Sequence, residues 1–279
     1  MENHGTLYIV ATPIGNVQDL SPRAVETLKT VDSILCEDTR HSSTLFNLLG
    51  INKPLSAYHD HNEKEVTEQI INQLLSGKNI ALVSDAGTPL ISDPGYVLTK
   101  ACHENNIRVS PVPGCCAFIS ALSASGLPSD SFTFYGFLPA KSKQRKDKFA
   151  EIKSLTSTAI FYESTHRIEE SVCDLIEILG EQRRLCLARE LTKQFETIVT
   201  DDSAKILEYL RANNNHQKGE FVLIIEGNRS TKSINLTEEV KSLIKELMQE
   251  LPPKKVTKIV SSSFSLDKDE VYNYIVENK

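Results

Sequence analysis

Short apolar runs alternate with amphipathic stretches through the first 127 residues of this chain. Apolar, β-branched segments at 6–11 (TLYIVA), 32–36, 79–84 and 106–110 read as strands. Between them, Pro22 suits the first turn of a helix with Ala24, Leu28 and Val31 on one face, and 63–75 repeats the spacing with Val66, Ile70, Ile71 and Leu74. A short helix is expected over 117–125. Strand and helix in alternation predict an α/β layered domain with a mainly parallel sheet.

After Gly126-Leu127-Pro128 the texture changes. SFTFYGFLP, TAIFYES, RLCLARE and EFVLIIEG are β-rich and more aromatic, with helical stretches and a polar turn at 213–218 between them. RLCLARE and the following TKQFETIVT are joined too closely for a crossover helix, so these strands should pair antiparallel. Beyond residue 233, Leu236, Val240, Leu243, Ile244, Leu247, Met248 and Leu251 mark one helical face. A second helix is expected over 254–261, and Asp267 with Glu270 resembles a capping box for a third bearing Val271, Tyr274 and Ile275. The expected organisation is an N-terminal α/β domain over 1–126, a second α/β domain with a mixed sheet over 127–230 and a small helical C-terminal module over 231–279. The module suits either a helix-turn-helix-like element or a packing tail.

Several of the first strands end in Pro/Gly loops: TPIGN at 12–16, SDAGTPLISDPG at 84–95 and PVPG at 111–114. Gly87 and Gly95 permit close approach, and Pro89 and Pro94 remove donors and leave carbonyls prominent, which suggests ligand recognition at the carboxyl edge of the sheet. A dinucleotide fingerprint is poor, for only Gly15 follows the first strand and Pro13 stands where a phosphate needs an amide, although Glu37 and Asp38 lie where a ribose-binding acid belongs. No GxxxxGK[ST] is present. The segments 11–16, 84–95 and 111–117 contain no Lys or Arg. Such loops suit S-adenosylmethionine, a cationic cofactor without phosphate.

A formal charge of −6 argues against binding nucleic acid through net charge and directs attention to local clusters. One stands out at 140–148, where Lys141, Lys143, Arg145, Lys146 and Lys148 face the single acid Asp147. It is either a solvated face or a phosphate-contacting segment. The six cysteines show no CxxC spacing, and Cys115 and Cys116 read as small apolar filler. His59, Asp60 and His61, like Glu37 and Asp38, read as solvated loop, and no metal site is expected. Without an apolar run of ~18 residues or a signal-peptide layout, the expected location is cytoplasmic.

VATPIGNVQDLSPRA, SILCEDTR, LVSDAGTPLISDPG, PVPG, SGLPSDSFTFYGFLPAKSKQR, FYESTHRI, ARELTKQFE and KGEFVLIIEG, in this order, resemble the ribosomal small-subunit RNA (cytidine-2'-O-)-methyltransferases of the tetrapyrrole methylase superfamily. The resemblance covers about residues 5–228, and the tail is similar to the family's helical C-terminal module. It implies a tetrapyrrole-methylase-like fold that binds S-adenosyl-L-methionine between two α/β domains. It also implies a homodimer that methylates the ribose of a decoding-region cytidine in 16S rRNA, within the small ribosomal subunit. By position it makes Pro13, Ser84, Asp85, Ala86, Gly87, Leu90, Ile91, Ser92, Asp93, Cys116, Ala117, Tyr162, Glu163 and Gly219 the cofactor contacts. The chain departs from the family at Cys115-Cys116, where a Pro usually follows the PG turn.

In-line transfer to a hydroxyl is chiefly a matter of positioning, helped by a proton acceptor. Glu163, His166, Lys143 and Asp38 are the candidates. Arg40, His41, Lys141, Lys143, Arg145, Lys146, Arg167, Arg189 and Lys193 are the expected phosphate contacts. Two rivals remain: a methylase of tetrapyrrole intermediates, and a non-catalytic RNA-binding assembly factor.

Overall fold

A computed structural model describes residues 4–228, 236–264, 266 and 268–278, which fall into two compact units, Met1–Asn228 and Arg229–Lys279. The first unit begins with β1 (Thr6–Val10), α1 (Pro22–Thr30), β2 (Ser33–Cys36), α2 (Thr39–Leu48), β3 (Leu55–Ala57), α3 (Glu63–Leu75), β4 (Ile80–Leu82), α4 (Tyr96–Glu104), β5 (Arg108–Val112) and α5 (Ala117–Ala124). Its strands form a five-stranded parallel sheet in the order β3-β2-β4-β1-β5. Leu28 of α1 and Phe46 of α2 cover one face, while Ile70 and Leu74 of α3 and Leu98 of α4 cover the other. Burial on both faces is what makes these strands read as continuous apolar runs. Each leucine so buried contributes about 1.5–3 kcal/mol.

Three of these elements escape the hydrophobic pattern. β3 is a three-residue edge strand, α2 buries only Ser42 and Phe46, and α4 follows directly on a Pro/Gly loop. Asp38 starts α2 by accepting the Arg40 amide at 2.8 Å, a cap rather than a periodicity.

The unit continues with β6 (Phe132–Phe137), α6 (Ser142–Ile152), β7 (Thr158–Glu163), α7 (Ile168–Leu179), β8 (Arg184–Arg189), β9 (Thr197–Asp202), α8 (Ser203–Ala212) and β10 (Phe221–Ile225). The sheet order is β6-β7-β10-β8-β9. β6 and β7 are parallel and the remaining pairs antiparallel, β8 with β9 among them as their short connection requires. One face packs on α6, α7 and α8 around Phe149, Leu175 and Ile206. The other packs Ile160, Ala188 and Val222 against Phe118 and Leu122 of α5, together with Ile14 and Ile91 from loops of the first sheet. A cleft opens along this second face.

The C-terminal unit comprises α9 (Glu238–Glu250), α10 (Pro253–Phe264) and α11 (Lys268–Glu277) around Leu236, Val240, Ile244, Val256, Val260, Val271 and Ile275. Thr237 caps α9, and Pro253 opens α10 at a position where its missing N–H costs nothing. Asp267 of the expected capping box lies outside the described residues. Among the described residues no helix is long and apolar enough to cross a membrane.

The basic run at 140–148 leads into and forms the first turns of α6, and it corrects one expected RNA contact. Arg145 is 1% exposed, its Nε and Nη2 donating to Asp174 at 2.9 and 2.8 Å and its Nη1 to the Ala140 carbonyl at 2.9 Å. A guanidinium spent this way cannot meet a phosphate. Lys146 is likewise engaged, 2.6 Å from Glu177. Arg145→Ala leaves the Asp174 carboxylate with only the Ser142 hydroxyl at 2.8 Å and Lys146 at 3.6 Å and should cost about 3 kcal/mol in urea unfolding; a loss below about 1 kcal/mol would show that the pair behaves like a surface ion pair.

Candidate active site

The loop after β1 and the loop after β4 are joined by reciprocal backbone bonds: the Thr12 amide donates to the Gly87 carbonyl at 2.8 Å, and the Gly87 amide donates to Thr12 at 3.1 Å. Side chains reinforce the join. The Thr12 hydroxyl donates to the Ser84 carbonyl at 3.0 Å, Ser84 donates to Gly87 at 3.2 Å, and Thr88 reaches the Cys115 carbonyl at 2.8 Å in the third loop. Beyond these ties Leu90 (φ 72°) and Ser92 (φ 65°) occupy left-handed backbone, at about 1–3 kcal/mol each. The strained turn carries Ile91 and Asp93 to the cleft.

The cleft holds a cavity of about 480 Å³, within the usual range for small-molecule sites. Ala86 to Thr88 and Ile91 to Asp93 form one wall, Cys116 and Ala117 open α5 at its end, and Tyr162 to His166, Leu191 and Gly219 to Val222 form the wall from the second sheet, with Phe137 at β6. Tyr162 is fixed by accepting the Phe118 amide at 3.3 Å, and its phenol is pushed up to about 12 by burial, so it stays neutral. Burial also raises the Cys115 and Cys116 thiols, which keeps them protonated and poor nucleophiles.

Charge in the cleft is one-sided. Among the described residues lining it there is no Lys or Arg, and the carboxylates are Asp93, Glu163 and Glu220. Glu163 is neutralised by Arg167 at 2.8 Å and also accepts from the Ser164 amide and the Ser171 hydroxyl. Glu220 is met by Lys193 at 2.9 Å. Asp93 forms no ion pair among the described residues, and burial first, then the Glu37 charge, pushes its carboxyl up to about 6, with Asp85 and Asp60 adding and the Ser84 hydroxyl opposing. A cation entering the cleft relieves this uncompensated charge; a phosphate adds to it.

A family model described as Tetrapyrrole (Corrin/Porphyrin) Methylases matches residues 6–207. The chain belongs to the tetrapyrrole methylase family. It is 50% identical over 272 residues to "Ribosomal RNA small subunit methyltransferase I" of Vibrio cholerae serotype O1, covering 98% of this chain and 94% of that protein. It is also 50% identical to the protein of the same name in Haemophilus influenzae (97% and 96% covered) and 47% identical to that of Pasteurella multocida (98% and 98% covered). In fold it is similar to the crystal structure of uroporphyrin-III-C-methyltransferase from Thermus thermophilus, with a TM-score of 0.53 at 19% identity, covering 85% of this chain and 98% of that one.

Methyltransferases of this family use S-adenosyl-L-methionine. The cavity fits it. Close-approaching backbone, a cation-free lining and an unpaired carboxylate suit a sulfonium cofactor.

Of the expected cofactor contacts, Ala86, Gly87, Ile91, Ser92, Asp93, Cys116, Ala117, Tyr162, Glu163 and Gly219 line the cavity. Pro13, Ser84, Asp85 and Leu90 do not. Ser84 stands behind the loop and fastens it, while Asp85 turns to the Asp38 amide at 3.4 Å. The proposed proton acceptors also separate: His166 is exposed on the lining, whereas Lys143 sits on α6 away from the cavity and Asp38 caps α2. Glu163, with its side chain 0% exposed and its oxygens engaged by three donors, anchors the end of β7 and has no oxygen free to take a proton.

Among the expected phosphate contacts Arg189 is buried and donates to the Lys218 and Phe195 carbonyls, a second correction. Arg167 and Lys193 are held by Glu163 and by Glu190 with Glu220. Arg40, 91% exposed in its side chain, His41, Lys141 and Lys143 face solvent. His59 and His61 form only an edge-to-face pair, and no cluster of metal ligands occurs among the described residues. Sequence reasoning missed Ile14, Thr88, Phe137, Ser164, Thr165, Leu191, Glu220, Phe221 and Val222. All lie inside or beside the quoted motifs; the apolar ones read as core, and the polar ones carry no spacing that separates them from ordinary loop residues.

Gly87 has φ +88° and its Cβ position meets only Ile14 and Cys115 at van der Waals distance. Gly87→Leu should therefore cost only about 1–2 kcal/mol of stability while its side chain fills the cavity, reducing S-adenosylmethionine affinity in calorimetry by at least about tenfold, 1.4 kcal/mol. Undiminished affinity removes the loop from the site. Asp93 offers a test by pH. Its folded-state pKa is raised above the unfolded value, so the stability it contributes is full below the unfolded pKa and lost as pH rises through about 6. Asp93→Asn should unfold at higher urea than the parent above pH 6, with the gain shrinking toward pH 4; a pH-independent difference contradicts the assignment.

Proposed function

We propose that this protein transfers the methyl group of S-adenosyl-L-methionine to the ribose 2'-hydroxyl of a cytidine in the decoding region of 16S ribosomal RNA. The observation that carries the reading is the near-full-length similarity to relatives named Ribosomal RNA small subunit methyltransferase I, at 50% identity over 98% of the chain. The motif resemblance supplies the finer target. When bound, S-adenosylmethionine supplies a methyl group attached to a positively charged sulfur.

The chain's own residues supply position and exclude water. The bridged loops hold Gly87 and Ile91 against one side of the cavity, Leu191 and Val222 close it from the second sheet, and the neutral Tyr162 is locked by Phe118. In-line displacement then requires the ribose hydroxyl to be presented at the open side. His166, exposed on the lining, takes the hydroxyl proton in this reading, because Glu163 is engaged by Arg167 and Ser171 while Lys143 and Asp38 do not line the cavity. Lys141 and Lys143, solvent-facing at the start of α6, bind the RNA phosphates together with Arg40 and His41.

Mass-spectrometric mapping of ribose methylation in ribosomal RNA, with and without this protein, should show one cytidine 2'-O-methyl group that depends on it. Methyl transfer to a porphyrinoid with none to RNA defeats the reading. Lys141→Glu with Lys143→Glu should lower RNA methylation by at least about tenfold near physiological salt and flatten its salt dependence, leaving cofactor affinity unchanged; full methylation by this variant makes the helix a solvated face.

A further inference from the structure

β6 carries an irregularity that re-aims one aromatic ring. Phe134 lies opposite Ile160 and Phe137 opposite Tyr162, so the strand holds one more residue than its partner in that interval. Gly136 takes the left-handed backbone of this bulge at φ +72°. Regular alternation would set Phe137 on the same face as Tyr135, which stacks on Phe161 in the core at 5.0 Å. Instead Phe137 joins Phe134 and Tyr162 on the cleft face, edge-on to Tyr162 at 5.4 Å, and remains 60% exposed while lining the cavity.

Its surroundings favour a nucleotide over an apolar ligand. His166 and Ser164 line the same cavity, and the buried Ser164 hydroxyl has no hydrogen-bond partner among the described groups. Lys141, solvent-facing, follows four residues on and leads into α6. A flat apolar ring, an unpartnered hydroxyl in the same cavity and a solvent-facing Lys four residues along the chain match what an unpaired RNA nucleotide offers: a π-face, a hydroxyl and a phosphate. Enzymes that modify a nucleotide also need it extruded from its stack.

We propose that Phe137 is the platform on which the base of the target nucleotide stacks, so that its ribose hydroxyl is turned into the cleft. This rests on the RNA reading above and adds the residue that positions the substrate. Phe137 is a substrate-binding residue in this scheme; it lines the cavity from its exposed side.

The chain contains no Trp, so Phe137→Trp supplies a single indole reporter. With a short target RNA, and the same RNA lacking only the target base, Phe137→Ala should raise the RNA KM by about tenfold, a size typical of losing one stacked base, at unchanged S-adenosylmethionine affinity. The parent enzyme on the abasic RNA should fall to the same level, and Phe137→Ala should lose nothing further there. Phe137→Trp should keep activity within about twofold, since an indole stacks at least as well, and be quenched by the intact RNA but not by the abasic one. Parent-like kinetics of Phe137→Ala on both RNAs overturns the proposal, as does a loss confined to cofactor affinity or a change in oligomeric state. If the parent enzyme methylates neither this RNA nor small ribosomal subunits, the functional reading fails first, an outcome distinguishable from a misassigned Phe137.

Discussion

The paired backbone bonds between Thr12 and Gly87 are the constraint on which the site depends. They tie the ends of two adjacent parallel strands, β1 and β4, at the carboxyl edge of the first sheet. With that join fixed, the chain between Thr88 and Gly95 must turn back within a few residues. It does so through left-handed conformations at Leu90 and Ser92 that no isolated peptide would hold. The buried hydroxyls of Thr12 and Ser84 close the loop's own carbonyls against each other, so the strain is met by local hydrogen bonds rather than by the ligand. The wall of the cleft is therefore formed in advance.

The second sheet completes the site by arranging charge. Each carboxylate that it brings to the cavity arrives with a counter-ion, Glu163 with Arg167 and Glu220 with Lys193. The loop of the first sheet brings Asp93 without one, beside further acids that make its ionisation harder. The outcome is a local negative potential in a half-enclosed space, which favours a cationic ligand and repels phosphate-bearing cofactors. Cations such as Arg40 and Lys143 lie outside it, on α2 and α6.

The parallel sheet, the antiparallel β8–β9 pair and most of the loop from Ala86 to Asp93 are legible in the sequence, because each leaves a local trace: apolar runs bounded by Gly and Pro, or a connection too short for a helix. What is not legible depends on distant partners. Arg145 belongs to the most basic stretch of the chain, and Asp174, two elements away, draws it inside together with the Ala140 carbonyl. Arg189 ends an apolar strand as a ligand-contacting residue would, yet the carbonyls of Lys218 and Phe195 claim it. Phe137 looks like one more core aromatic of an aromatic strand until the bulge at Gly136 reverses its face. Motif resemblance pointed to segments that line the cavity; it did not say which of their side chains turn inward.

The most direct measurement is a crystal structure of the protein grown with S-adenosyl-L-methionine. The account predicts the donor between the loop of Gly87 to Asp93 and the face formed by Tyr162 and Val222, with its sulfonium nearer to Asp93 than to any Lys or Arg. A donor bound outside this cavity, or held through its sulfonium away from that carboxylate, would contradict it.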